Sequence, residues 1–506
     1  MAFHTYQFLF GVLPACYFGF VVAHRLGGWI AAYHFLAVAS LAFYAQFSTL
    51  LVVILFASVT ANYLIGELLM KLAGRRRLAG QVLIAGIAAN LAALGYFKYS
   101  NFLIEIANTI SGSEFSSLNL IIPVGVSFFT FVQIGYLVEA YNGQVERPGF
   151  GRYVLFATFL PCVTAGPLVL QGELLGQMKE RDEPALNLQR LAAGLTLFGI
   201  GLFKKVVLSD AIAPYGNAVF DGVAAGQTPD ALVAWIGALA YSLQLYFDFS
   251  GYSDMAIGIG LMFGLMLPLN FDSPFKATSI SEFWRRWHMT MTRFFTTYIY
   301  TPLAMRGLRK ALTQKHGPLL RLLETTAVPA IVTFLVAGIW HGAGWSFVVY
   351  GLIHGFAIAI NLAWRECECA EFSPPMGWLL TMAVVVSGLV VFRAPDLGSA
   401  GIVLQQMWGR EIFFPSTASD LVLQIDLRSS IALIVLLGAI VLLMPNSQQI
   451  MHHAWPSSDS KPKDVPLAAG LLTWKPTIVR SIAVAVTWCI ALTSIGATST
   501  FLYYQF

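Results

Sequence analysis

Apolar positions along this chain fall in long unbroken runs. Stretches free of Asp, Glu, Lys and Arg that reach the roughly 20 residues a helix needs to cross a bilayer occur at 1–24, 26–66, 78–97, 115–138, 153–172, 325–364, 372–392, 429–458 and 481–506. Two of them, 26–66 and 325–364, are long enough for helical hairpins, so the pattern predicts about 11 spans, within a range of about 10 to 12. Nothing resembles the ten-residue alternation of an outer-membrane barrel strand. The expected fold is therefore an all-α polytopic membrane protein, built as one membrane-embedded unit over residues 1–506. The first run has no basic n-region and no small-residue cleavage site, so it reads as a retained span.

Proline and glycine interrupt several runs: "IIPVGVSFF" at Pro123, "FLPCVTAGPL" at Pro161 and Pro167, and "LPLNFDSPF" at Pro268 and Pro274. Broken backbone is tolerated at membrane depth only where protein buries it or where it lines a watery cavity. Re-entrant or short helices around a central funnel are thus expected. No internal repeat is visible, and the breaks do not fall at matching places in two halves, which disfavours a transporter. The stretch "SSDSKPK", 457–463, reads as a flexible loop.

Composition agrees with a membrane protein: 57% of the 506 residues are hydrophobic and 11% charged, against about 25% charged in a soluble domain. Arg25 and "RRR" (75–77) flank the 26–66 hairpin, and the positive-inside rule puts both in the cytoplasm and the N-terminus outside it. Between Lys276 and Arg321 lie nine Lys or Arg and one acid, Glu282. That segment is expected at the cytoplasmic face, either for topology and lipid headgroups or as a site for an anionic ligand. Five scattered cysteines, with only Cys367 and Cys369 close together as "CEC", give neither a disulfide framework nor a zinc spacing. Neither a metal nor nucleic acid is implied.

Three polar constellations remain. In "SEFWRRWHMTMTRFF", Glu282, Arg286 and Arg293 would share one face of a continuous helix, with Trp284 and His288 on an adjoining face. That is either an interfacial anchor or an anion site, since guanidinium suits phosphate. In "YSLQLYFDFSGYSDMAIGIG", Gln244, Asp248 and Tyr252 follow at i,i+4 with Asp254 beyond. A network pairing Asp248 or Asp254 with an Arg of the basic segment is the simpler reading, and a proton relay the functional one. In "AGIWHGAGW", His341 stands among Gly338, Gly342 and Gly344, either packed across helices or working as a proton carrier or general base; metal binding is the weakest reading, since no HxxxH or His/carboxylate spacing accompanies it.

Taken in order, "GYFKYSNF" (95–102), "PVGVSFFTF" (123–131), "YFDFSGYSDMAIGIG" (246–260), "NFDSPF" (270–275), "EFWRRWH" (282–288) and "GIWHGAGW" (338–345) resemble the membrane-bound O-acyltransferase (MBOAT) family. The resemblance is strongest to its bacterial alginate O-acetylation branch, with the teichoic-acid D-alanylation proteins as cousins, and covers about 95–355. It implies a many-helix bundle around a funnel, with His341 near its centre and His288 as a second histidine. It also implies acetyl-CoA as a cytoplasmic donor substrate, with no permanently bound cofactor, and a place in the bacterial inner membrane. Transfer would run towards periplasmic acetyltransferase partners and polysaccharide biosynthesis and secretion proteins. Departures occur at "AMRG" (304–307), Gly135 and Glu139, which leave the acceptor open between alginate, acetylated cellulose and another exopolysaccharide.

On this reading His341 and His288 are the catalytic candidates, His341 as base towards an acceptor hydroxyl or as the carrier of an acetyl group. Arg285, Arg286, Arg293 and Trp340 would bind the donor. Asp248, Tyr252, Asp254 and Glu282 would support the site, and the glycines beside His341 would leave room for a thioester and a hydroxyl to meet. The rivals are a secondary transporter or export channel using Asp248, Asp254 and His341 as a proton path, and a catalytically silent scaffold.

Overall fold

The computed structural model describes residues 2–409, 426–452, 473–475, 477–496 and 501–502. The loop expected at 457–463 lies outside them. Among the described residues the chain is helical throughout, with eight helices long and apolar enough to cross a membrane and two shorter apolar ones, Leu427–Leu443 and Ile478–Thr493. It is a polytopic membrane protein.

Helix α1, Leu13–Ala45, is two antiparallel arms. Gly27 (φ −153°) and Gly28 (φ 72°) leave helical geometry, and a Cβ on Gly19 would strike the ring of Phe35, 2.2 Å away, a contact impossible in a straight helix, where 16 residues span about 24 Å. Only glycine enters the left-handed region needed at position 28 without penalty. α2 (Thr49–Lys71) and α3 (Arg76–Leu94) form the next hairpin, and a π-helical turn, Gly95–Tyr99, leads into α4 (Ser100–Ser111).

The 115–138 run does not cross as one helix. α5 starts only at Val126 and runs Val126–Asn142, because Gly125 takes φ 73° where its backbone meets Val163; a Cβ there would sit 2.0 Å from the Val163 carbonyl oxygen. The 153–172 run is likewise no span, but the short pieces α6 (Phe150–Thr158), α7 (Leu160–Val163) and α8 (Gln171–Leu174). The two proline-broken segments thus meet each other inside the protein. Thr164 of the second bonds Tyr252 at 2.7 Å, and the Leu168 N–H donates to Thr290 Oγ1 at 3.0 Å.

α9 (Leu188–Phe203) and α10 (Asp210–Ala224) run as one apolar stretch, and α11 (Ala231–Met262) returns against it. Gly201 and Gly251 face each other's backbone, as do Gly194 and Gly258, which brings the axes close, as small residues do in membranes. α12 (Ile280–Arg286), α13 (Met289–Phe295), α14 (Thr301–Thr313) and α15 (Pro318–Leu322) carry the basic segment. α16 (Val328–His341) and α17 (Trp345–Glu366) make a hairpin, followed by α18 (Pro374–Arg393) and α19 (Leu397–Trp408). α20 (Leu427–Leu443), α21 (Ser447–Ile450) and α22 (Ile478–Thr493) complete the described chain.

Candidate active site

The "WRRWH" motif is where the expected continuous helix fails. α12 ends at Arg286, Trp287 is extended, and His288 is left-handed at φ 44°, a conformation costing about 1–2 kcal/mol in an L-residue. The loop carrying "NFDSPF" holds the break open. The Asp272 N–H donates to the Arg286 carbonyl and the Met289 N–H to the Asn270 carbonyl, both at 2.9 Å. The Asn270 side-chain oxygen accepts from Thr290 Oγ1 at 3.0 Å and lies 3.1 Å from His288 Nδ1. An amide oxygen only accepts, so a neutral His288 carries its proton on Nδ1 and presents Nε2 as a lone pair.

The reversal separates two kinds of residue. His288 turns fully inward (0% exposed), while Arg285 stays exposed and Arg286 half-exposed. Arg286 pairs with Glu282 at 2.8 Å, as the i,i+4 spacing suggests. The Glu282 carboxyl is opposed by burial, but hydrogen bonds from Thr278 and the Arg286 charge outweigh it and hold the group below the usual carboxylate range. Arg293 does not share that face. It lies beyond the break and grips the Glu173 carboxylate with both terminal nitrogens, so its charge already has a partner. Arg285 has no ion pair among the described residues.

His341 arrives from the other direction, as the last residue of α16, about 20 Å along the axis from Val328. Trp340 lies against both histidines, its ring centroid 6.1 Å from that of His288 and 4.9 Å from that of His341. The indole is itself buried, stacked on Phe131 at 5.6 Å and edge-on to Phe128 at 5.2 Å. Each such aromatic pair adds about 0.5–1.5 kcal/mol beyond area burial. Trp340, expected to hold a donor, is packed in this way among aromatic rings with both imidazoles against it.

Gly338 and Gly342, two of the three glycines around His341, do not open space for reactants. A Cβ on Gly338 would sit 2.3 Å from the Phe347 carbonyl oxygen, and one on Gly342 would sit 2.0 Å from the Phe347 ring. Their room is taken by α17, so they serve the helix crossing. A third histidine went unremarked in the sequence. His354, on α17, is 1% exposed, accepts the Trp284 indole N–H on Nδ1 at 3.2 Å, and packs edge-on to Tyr350 at 4.6 Å. Tyr350 in turn faces His341, 6.1 Å between centroids. Asn270 was also missed as a site residue, although its motif was noted; no spacing rule marks an amide that clamps a residue 18 positions on.

Asp248 and Asp254 do not reach the basic segment. Lys205 bonds Asp248 and Asp210, both at 2.8 Å. Lys204 bonds Asp254 at 2.6 Å. Both lysines come from the π-helical turn between α9 and α10, so the network does tie helices together, but with lysines rather than arginines.

Residues 98–397 match the sequence profile of MBOAT, the membrane-bound O-acyltransferase family. The chain belongs to this family. As an O-acyltransferase it has relatives over nearly its whole length. It is 36% identical over 440 residues to a peptidoglycan O-acetyltransferase of Helicobacter pylori, covering 81% of this chain and 80% of that one. It is 33% identical over 516 residues to a probable alginate O-acetylase, AlgI, of Pseudomonas putida, covering 100% of both. A teichoic acid D-alanyltransferase of Streptococcus thermophilus is 29% identical over 266 residues, 52% of this chain and 61% of that one. The motifs from "GYFKYSNF" onward that build the site fall almost entirely inside the matched region.

Proposed function

We propose that this O-acyltransferase takes acetyl from cytoplasmic acetyl-CoA and passes it across the bacterial inner membrane for O-acetylation of a cell-envelope or extracellular polysaccharide, with a periplasmic acetyltransferase and the polymer's own synthesis and secretion proteins as partners. The observation that carries this reading is the meeting of His288 and His341, delivered by separate elements, at the ring of Trp340. We read the whole chain, 1–506, as one such unit of about 11 spans around a funnel.

His341 acts as the base. It takes the proton of the acceptor hydroxyl as that oxygen attacks the thioester carbonyl, and returns it to the departing thiolate when the tetrahedral species collapses. His288, oriented through Nδ1 by the Asn270 side chain, positions the thioester beside His341. Arg285 and, behind it, Arg286 draw the donor phosphates, which suits an unpaired guanidinium at the basic, cytoplasmic end. Arg293, already held by Glu173, contributes little there. Asp248, Tyr252 and Asp254 support the site by fixing α11.

For the acceptor, the names of the relatives support alginate and add peptidoglycan, which the sequence had not suggested. Purified protein, acetyl-CoA labelled in the acetyl group and a panel of alginate, cellulose and peptidoglycan fragments, with and without the periplasmic partner, tests the proposal. Donor-dependent acetyl transfer is expected. Absence of any donor turnover with a folded protein rules it out.

A further inference from the structure

We infer that Lys98, in "GYFKYSNF", is a positioning residue for the reaction: its ammonium caps the end of α16 and thereby sets the place of the His341 imidazole. This rests on the reading of His341 as the working base.

The last carbonyls of a helix have no partner within it. α16 ends in extended backbone at Gly342 (φ −163°), which does not supply the left-handed cap that usually closes a helix. Side chains from one neighbouring turn do so instead. Tyr99 Oη donates to the Ile339 carbonyl at 2.7 Å. Lys98 Nζ donates to the Trp340 carbonyl at 2.7 Å and the His341 carbonyl at 3.0 Å. Three successive end carbonyls are met by two adjacent residues. Nζ also reaches Ser127 Oγ at 3.2 Å, so the three N–H groups of an ammonium have three acceptors. A cation at this point also complements the negative end of the helix dipole.

The geometry explains why these motif segments converge. Lys98 and Tyr99 lie on the π-helical turn Gly95–Tyr99, an element that recurs at functional sites. Ser127 opens α5, and its carbonyl accepts the Trp340 indole N–H at 3.4 Å. The side chain of His341 is therefore located by its own carbonyl, through a clamp on a different hairpin. Lys98 touches the backbone of His341, so it acts through that residue rather than on substrate. A shift of about 1 Å in a base can cost about a hundredfold in rate.

The test compares Lys98→Ala, Lys98→Arg, Tyr99→Phe and His341→Ala in purified full-length protein, with turnover of acetyl-CoA measured against donor concentration. Lys98→Ala is expected to lower kcat by about 10- to 100-fold with donor KM changed less than about twofold. Propylammonium added to Lys98→Ala is expected to restore at least a few-fold of that loss. Lys98→Arg should fall between, and Tyr99→Phe should lose least. Wild-type kcat in Lys98→Ala beside a dead His341→Ala overturns the role of Lys98 alone, as does a loss that tracks unfolding and ignores the amine. Wild-type turnover in His341→Ala overturns the reading of His341 and the positioning role with it.

Discussion

Two buried polar clusters stand in this protein, and they are built on opposite principles. Between α11 and the turn joining α9 to α10, Lys204 and Lys205 neutralise Asp254 and Asp248 at 2.6 and 2.8 Å, in a seam where glycines let the backbones touch. Along Trp340 and Tyr350, three buried histidines, His288, His341 and His354, sit among aromatic rings. A charge taken out of water must be matched where it lies, so the first cluster is closed upon itself and holds helices in register. The second gathers imidazoles, the side chains suited to take and return a proton. Both clusters put polar groups in apolar helices, which flags function by default; what separates them is that one is built of ion pairs and the other of imidazoles packed against rings.

Breaking the second cluster should hurt activity without hurting the fold, and the largest effect is expected at its centre. His341→Ala should lower O-acetylation by about 10²- to 10⁴-fold, the range of a general base, while insertion and thermal unfolding of the purified protein stay as in wild type. The first cluster should respond in the other sense. Lys205→Met leaves Asp248 buried and uncompensated and is expected to destabilise by about 3–5 kcal/mol. Lys205→Met with Asp248→Leu should recover much of that in thermal unfolding, and equal loss in single and double variants would show that the pair is not the stabilising unit.

Smaller effects sharpen the contrast. Asn270→Ala removes the acceptor facing His288 Nδ1 and should cut turnover about tenfold, with Asn270→Asp retaining more than Ala; wild-type turnover in Asn270→Ala would detach His288 from the chemistry. Weakest of all, Arg285→Ala should raise donor KM a few-fold and flatten its dependence on salt, with Arg286→Ala affecting KM less because Glu282 already pairs it. Indifference of donor binding to salt and to both changes would leave the basic segment to topology and lipid.

The same contrast explains what the sequence disclosed and what it hid. Runs without charge located the α1 to α3 hairpins and the α16–α17 hairpin, because composition alone decides whether a segment enters lipid. That criterion passed over Leu188–Ala224 and Ala231–Met262, which are long and apolar enough to cross with Lys204, Lys205, Asp210, Asp248 and Asp254 inside them. Mutual neutralisation is a tertiary fact that a count of charges does not hold. The same count took 115–138 and 153–172 for spans, where Pro123, Gly125, Pro161 and Pro167 break the backbone so that the segments fit each other.

At the site, His288, His341 and the Glu282–Arg286 pair were legible from motif and spacing. The parting of Arg293 from that pair was not, since it depends on His288 taking a left-handed turn held by the Asn270 loop. His354 was hidden by its setting in an apolar run, with its partner Trp284 lying 70 residues earlier in the chain.

The central claim is that chemistry resides in the imidazole cluster and not in the lysine–aspartate seam. The most direct measurement is turnover of labelled acetyl-CoA by purified, correctly folded protein in three forms: wild type, His341→Ala, and the double variant Lys205→Met with Asp248→Leu. The account predicts turnover in wild type, turnover within a few-fold of it per folded molecule in the double variant, and none above background in His341→Ala. Undiminished turnover in His341→Ala, or its abolition in a folded double variant, would contradict it.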